Sequence, residues 1–128
     1  MMEEREQSVL IVDDALFMRM MLKKIIAGEG GYCVYEAPDG ETALELYRQH
    51  RPQIVLLDIS MPGMNGIEVL KCIREADPQA YVVMCSAIGQ ESMIMEAINS
   101  GAASFIVKPF LPEHIIKALE NAPVRQEG

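Results

Sequence analysis

The sequence predicts a doubly wound α/β domain, with five parallel strands in one sheet and helices packed on both faces. Three observations predict it. Short apolar runs rich in β-branched residues alternate with longer stretches whose apolar residues recur at helical spacing. Turn-forming residues punctuate the boundaries. Strict strand–helix alternation with right-handed crossovers then leaves a parallel sheet covered on both sides as the consistent architecture.

The elements follow in order. The run "SVLIV" at residues 8–12 is the first strand. Met18, Met21, Leu22 and Ile25 form the apolar stripe of the first helix, with methionine as adaptable core filler. Gly28, Gly30 and Gly31 close that helix before the second strand, "YCVYE" at 32–36. Asp39-Gly40 opens the second helix. The third strand is "IVLL" at 54–57. Asn65 and Glu68 then stand three apart, as an N-cap and its capping-box acid do. Val69, Cys72, Ile73 and Ala76 carry the third helix up to Pro78, which stops it. "YVVMCS" at 81–86 is the fourth strand, followed by the stripe Ile94, Ala97 and Ile98. "SFIV" at 104–107 is the fifth, and Pro112 suits the first turn of a last helix carrying Ile115, Ala118 and Leu119. The second strand is the least uniformly apolar, which suits a sheet edge and favours the flavodoxin-like order 2-1-3-4-5.

A chain of 128 residues fits a single domain over 1–128, with an ordered core from about residue 8 to about 121 and short polar tails. The net charge of −8 argues against a nucleic-acid partner and against an anionic membrane surface. No apolar run reaches the ~18 residues a membrane span requires. The acidic opening "MMEEREQ" is unlike a secretory signal, so a cytoplasmic location is expected. Cys33, Cys72 and Cys85 are odd in number, lack any C-x-x-C pairing and lie in apolar stretches, so buried, reduced thiols are expected.

The chemistry gathers at the strand ends. In a parallel sheet all carboxyl ends share one edge, and ligands bind there at the point where strand order reverses. Asp13-Asp14 follow the first strand, Asp58 the third, Ser86 the fourth and Lys108 the fifth. This places Asp58 at the mouth of a crevice, outside the core. Three carboxylates in one crevice repel and would raise at least one pKa. A hard divalent cation, Mg²⁺ above all, relieves that repulsion through oxygen ligands. With a lysine ammonium and a serine hydroxyl alongside, the set makes a cradle for a phosphoryl group carried on a carboxylate. Nucleotide binding has no support, because neither a G-x-x-x-x-G-K-[ST] nor a G-x-G-x-x-G loop follows the first strand. His50 and His114 fall on predicted helices away from the crevice and read as solvated surface residues.

The motifs "VLIVDDALFMRMMLK", "VLLDISMPGMNGIE", "CSAIGQESMIMEAINSGA" and "FIVKPF" resemble the receiver domain of bacterial two-component response regulators, from about Ser8 to about Asn121. Within that family the chain is most similar to single-domain chemotaxis regulators. The family is itself a standard example of the 2-1-3-4-5 order. The resemblance implies that Asp58 accepts a phosphoryl group from a sensor histidine kinase. It implies that Asp14, Asp58 and the backbone carbonyl of Ser60 ligate Mg²⁺, with Asp13 acting through water. Ser86 and Lys108 would hold the phosphoryl oxygens, and Ser60 and Ile88 fall where the family tunes phosphoryl lifetime.

Further expectations follow from the same resemblance. Phe105 occupies the family's aromatic switch position on the fifth strand; lacking a hydroxyl, its ring is expected to populate an inward state even without phosphate. A cis Lys108–Pro109 bond would aim Lys108 into the crevice. With no room for a second domain, output would be a surface change on the fourth helix, fifth strand and fifth helix, read by a flagellar motor switch protein, and a phosphatase is a further possible partner. A stand-alone receiver in another phosphorelay, such as sporulation, shares every site residue and stays open. A Mg²⁺-dependent phosphohydrolase with Asp58 as nucleophile is disfavoured, because Ser60 stands where such an enzyme places its general acid. A purely structural interaction domain leaves the carboxylates unexplained. The chain is thus expected to be a phosphoacceptor and not an enzyme.

Overall fold

The structure is a computed structural model that describes residues 7–123. The polar tails expected at residues 1–6 and 124–128 lie outside the described residues, whereas Gln7, grouped with the first tail, opens the first strand. Ten elements alternate: β1 (Gln7–Val12), α1 (Leu16–Glu29), β2 (Tyr32–Ala37), α2 (Gly40–His50), β3 (Ile54–Asp58), α3 (Gly66–Ala76), β4 (Val82–Ser86), α4 (Glu91–Asn99), β5 (Ser104–Val107) and α5 (Pro112–Asn121). All strand pairs are parallel and the sheet order is β2-β1-β3-β4-β5, as expected.

The period-2 alternation of each strand sorts its apolar residues onto two faces. Leu10, Val12, Val55, Leu57, Val82 and Met84 face one layer, with Ala43, Tyr47, Leu70, Ile73 and Ala97 of α2, α3 and α4. Val9, Ile11, Ile54, Leu56, Val83 and Cys85 face the other, with Leu22 and Ile26 of α1 and Ile115, Ala118 and Leu119 of α5. The three central strands are thus apolar on both sides, as a doubly covered parallel sheet requires. Strand β2 has a single buried residue, Ala37, which matches its place at the edge.

Local chemistry sets the element ends. Asp39 caps α2 by accepting from the Thr42 N–H at 2.8 Å. Asn65 and Glu68 form the expected reciprocal capping box of α3, both bonds at 3.0 Å. Gly66 matters for another reason: a Cβ there would lie 2.1 Å from the Asp58 carbonyl oxygen. That close approach lets the Gly66 N–H donate to the Ile59 carbonyl at 2.8 Å and folds α3 tightly back beneath the end of β3.

The cysteine expectation holds only for Cys85. It is buried at the sheet, whereas Cys33 is half-buried on the edge strand and Cys72 is exposed on α3. An apolar sequence context does not specify which side of a helix a residue takes. Burial pushes the Cys85 thiol up to about 12, so it stays protonated and inert at neutral pH.

Candidate functional site at the carboxyl edge of the sheet

Each strand delivers its polar residue to the same edge because the register is fixed. Val12 of β1 lies beside Leu57 of β3, which sets Asp13 next to Asp58. Asp58 in turn lies beside Cys85, so Ser86 ends β4 one residue further on, and Ser86 pairs with Val107, just before Lys108. The Lys108 N–H donates to the Ser86 carbonyl at 2.7 Å, and the Lys108–Pro109 peptide is cis, as expected.

The resulting geometry is compact. The Lys108 Nζ stands 3.2 Å from Asp13 Oδ2 and 3.2 Å from Asp58 Oδ1. Asp13, Asp14 and Asp58 each offer a carboxylate oxygen, and these three oxygens lie within 4.8 Å of one another. The expectation that Asp58 escapes the core needs correction: it is the last residue of β3 and only 7% exposed. Asp13 is buried as well, while Asp14 faces solvent. Such burial is tolerable because Lys108 is shared between the two buried carboxylates.

Sharing leaves a deficit. Desolvation raises the Asp58 pKa above the ordinary carboxylate value; the Lys108 charge opposes this, and the Asp13 charge adds to the rise. Carboxylate crowding, expected as the cause of such a rise, is its smaller part, and burial is the larger. On Lys108 the balance runs the other way: burial would lower its pKa, but the attraction of Asp58 and Asp13 outweighs it and holds the ammonium charged. One ammonium cannot neutralise two buried carboxylates and an exposed third. The crevice keeps an excess of negative charge and of hard oxygen donors, the environment a hard metal ion takes.

Ser86 completes the set. It is fully buried, and its Oγ has no hydrogen-bond partner among the described residues. A buried hydroxyl without a partner costs free energy, so its position calls for an acceptor that arrives from outside the protein. Ser60 sits at the rim, exposed, with its Oγ accepting from Gln90 Nε2 at 2.5 Å. Gln90 Oε1 accepts from the Ala87 N–H at 2.6 Å. Sequence reasoning passed over Gln90, although it lies in the "CSAIGQ" run, because a 30-residue bridge leaves no local pattern. Arg19 was also missed: it donates to the Asp13 carbonyl at 2.7 Å and pairs with Glu36 at 3.1 Å, tying the Asp13 turn to the edge strand.

Phe105 lies outside this cluster. It is 45% exposed on β5. On the four-residue β5, Ile106 is buried, while Phe105 and Val107 share the opposite side of the strand and are exposed. His50 stacks on Tyr35 at 4.1 Å between ring centroids, and His114 Nδ1 accepts from the Leu111 N–H at 3.2 Å; neither lies in the crevice.

A family model, the response regulator receiver domain, matches residues 9–120. The chain belongs to that family. It is 53% identical over 113 residues to chemotaxis protein CheY of Thermotoga maritima, covering 88% of this chain and 94% of the relative. It is 50% identical to chemotaxis protein CheY of Bacillus subtilis, with the same coverage of both chains. It is also 38% identical over 115 residues to sporulation initiation phosphotransferase F of Bacillus subtilis, covering 90% of this chain and 92% of that one. Among solved structures, the receiver domain of NtrX from Brucella abortus superposes with a TM-score of 0.82 at 33% identity, over 89% of this chain and 99% of that one. This protein's receiver domain is thus similar to chemotaxis proteins over most of its length, and among the described residues no helix is long and apolar enough to cross a membrane.

Proposed function

We propose that this receiver domain accepts a phosphoryl group on Asp58 from the phosphohistidine of a sensor histidine kinase and passes the signal on through a change of surface. The carrying observation is the buried Asp58, 3.2 Å from the Lys108 ammonium, with the unpartnered Ser86 hydroxyl at the end of the neighbouring strand. In the transfer, an Asp58 carboxylate oxygen bonds phosphorus while the bond from phosphorus to the donor breaks, and the donor leaves with that electron pair. Lys108 holds one equatorial oxygen by charge, and the Ser86 hydroxyl donates to another. Asp14, Asp58 and the Ser60 carbonyl would ligate Mg²⁺, with Asp13 acting through water. The bound ion would supply charge neutralisation between the carboxylates and the phosphoryl oxygens. Lys108 Nζ keeps its proton throughout, since both neighbouring carboxylates favour the charged form.

The chain would work as a cytoplasmic signalling protein whose only chemistry is on itself. Its output is proposed to be chemotactic, with a flagellar motor switch protein as reader and a phosphatase to reset the signal. Identities of 53% and 50% to chemotaxis proteins favour this over the sporulation-type relay, where identity is 38%. The surface suits it too: Phe105 and Val107 of β5 are exposed apolar residues that line a groove with His114 and Lys117 of α5, and Met95 and Ile98 of α4 are exposed apolar residues as well. Phe105 is the switch element proposed for that face, turning inward when Ser86 is drawn to the phosphoryl group.

The test is incubation with acetyl phosphate, with and without Mg²⁺, followed by intact-mass measurement. One phosphate adduct is expected only with the metal, and none in Asp58→Asn. An adduct that survives in Asp58→Asn would overturn the assignment.

A further inference from the structure

We propose that Gln90 is a positioning residue for this phosphoryl transfer: its side-chain carboxamide latches the loops after β3 and β4 in the unphosphorylated arrangement, and it yields when Asp58 is modified. The inference rests on the phosphoacceptor reading of Asp58. Its ground is the pair of hydrogen bonds made by one side chain. Oε1 accepts from the Ala87 N–H at 2.6 Å, and Nε2 donates to Ser60 Oγ at 2.5 Å. Ser60 is two residues past Asp58, and Ala87 is one residue past Ser86. A single carboxamide therefore spans the rim between the two strands that carry the acceptor and its hydroxyl partner.

The backbone is shaped to allow it. Gly89 has φ of 96°, a conformation that side-chain-bearing residues rarely adopt, and the turn returns the chain so that Gln90 folds over the Ala87 amide. Ile88, between them, points into solvent at 79% exposure and contributes no anchor of its own. The Gln90 side chain makes no cap for α4, although Gln90 is the N-cap residue of that helix. Its polar groups are committed to the latch instead. The latch also reaches α4, whose exposed Met95 and Ile98 lie on the proposed output face.

Phosphorylation changes the competition for these donors. A phosphoryl group on Asp58 brings three strong acceptor oxygens to the crevice. The buried Ser86 hydroxyl is the first unpartnered donor they meet, and the Ala87 N–H is the next amide along the chain. A charged acceptor makes a hydrogen bond about twice as strong as a neutral carboxamide oxygen does. The Ala87 amide should therefore leave Gln90 Oε1 for the phosphoryl group. Because both latch bonds belong to one rigid carboxamide, losing the first loosens the second, and the start of α4 is released from the β3–α3 loop.

The experiment uses the whole chain with Mg²⁺ and beryllofluoride, a noncovalent phosphoryl analogue, followed by fluorine NMR. Gln90→Met keeps the bulk and removes both bonds. It should bind beryllofluoride about two- to tenfold more tightly than wild type, since a net hydrogen bond no longer has to be broken. Ser60→Ala removes one bond while keeping the Ser60 carbonyl, and should give part of the same gain. The double variant should gain less than the product of the two single effects. Amide exchange at Ala87 provides a second readout, expected to be slow in wild type and fast in Gln90→Met. Affinities equal to or weaker than wild type in both single variants, or unchanged exchange at Ala87, would overturn the latch. If wild type itself binds no beryllofluoride, it is the phosphoacceptor reading that fails.

Discussion

Asp58 and Asp77 are both under a tenth exposed, yet the molecule keeps them in opposite ways. Asp77 follows α3 and is surrounded by donors: the Tyr47 hydroxyl at 2.7 Å, the Gln79 N–H at 3.0 Å and the Arg51 guanidinium at 3.4 Å. Its charge is met by the protein's own groups, and it ties α2 to the end of α3. Asp58 shares one ammonium with Asp13 and has Asp14 nearby, and the strand next to it ends on a hydroxyl with no hydrogen-bond partner among the described residues. Burial of a carboxylate is thus no mark of function by itself. The mark is a local balance that the protein leaves incomplete, in charge at one atom and in hydrogen bonding at another.

The contrast can be broken most directly at Lys108. Lys108→Met should slow labelling by acetyl phosphate by about a hundredfold, the scale of losing one preorganised group that meets transition-state charge. Labelling near the wild-type rate would mean that the ammonium only compensates buried charge. Asp14→Asn comes next. It removes an oxygen ligand, so Mg²⁺ affinity measured by calorimetry should fall sharply, while the melting temperature in chelator should rise because repulsion is relieved. A variant that melts lower in chelator would count against three crowded carboxylates.

At the other aspartate the expected effects are reversed in kind. Asp77→Ala leaves the buried Tyr47 hydroxyl without this acceptor and should cost about 1–3 kcal/mol in urea unfolding. Labelling of the folded variant should match wild type. If it does not, the two aspartates are coupled and the comparison fails.

The smallest effect is in pH dependence. Because the folded-state pKa of Asp58 is raised, between the ordinary carboxylate value and the raised one the native metal-free protein binds more proton there than the unfolded chain does. That group's contribution to stability is therefore lost as pH rises from the ordinary carboxylate value through the raised one. In chelator, Asp58→Asn should gain on wild type across that window, and equal slopes for the two proteins would remove the raised pKa assigned to Asp58.

How much was legible from sequence follows the range of the interaction concerned. The capping box of Asn65 and Glu68, the Asp39 cap and Pro112 in the first turn of α5 were legible because each lies within one helical turn. The edge position of β2 could be read from its mixed composition. Asp13, Asp14, Asp58, Ser86 and Lys108 could be brought together because a parallel sheet sends every strand's carboxyl end to one edge, whatever the packing detail. Lys108 stands 3.2 Å from both Asp13 and Asp58, and Asp14 lies in the same carboxylate cluster.

What the sequence determined by itself was therefore the alternation of elements, the sheet they form and the residue types at its functional edge, since periodicity and strand polarity are local properties. The tertiary structure alone decided the rest. It decided that Asp13 and Asp58 are buried while Asp14 is exposed, that Cys72 faces solvent, and that Phe105 is exposed. It also decided which distant partners meet, Gln90 with Ser60 across 30 positions and Tyr47 with Asp77 across the same span. Burial and long-range hydrogen bonds depend on how helices rotate and loops fold back over the sheet, and those are set by packing among residues far apart in the chain.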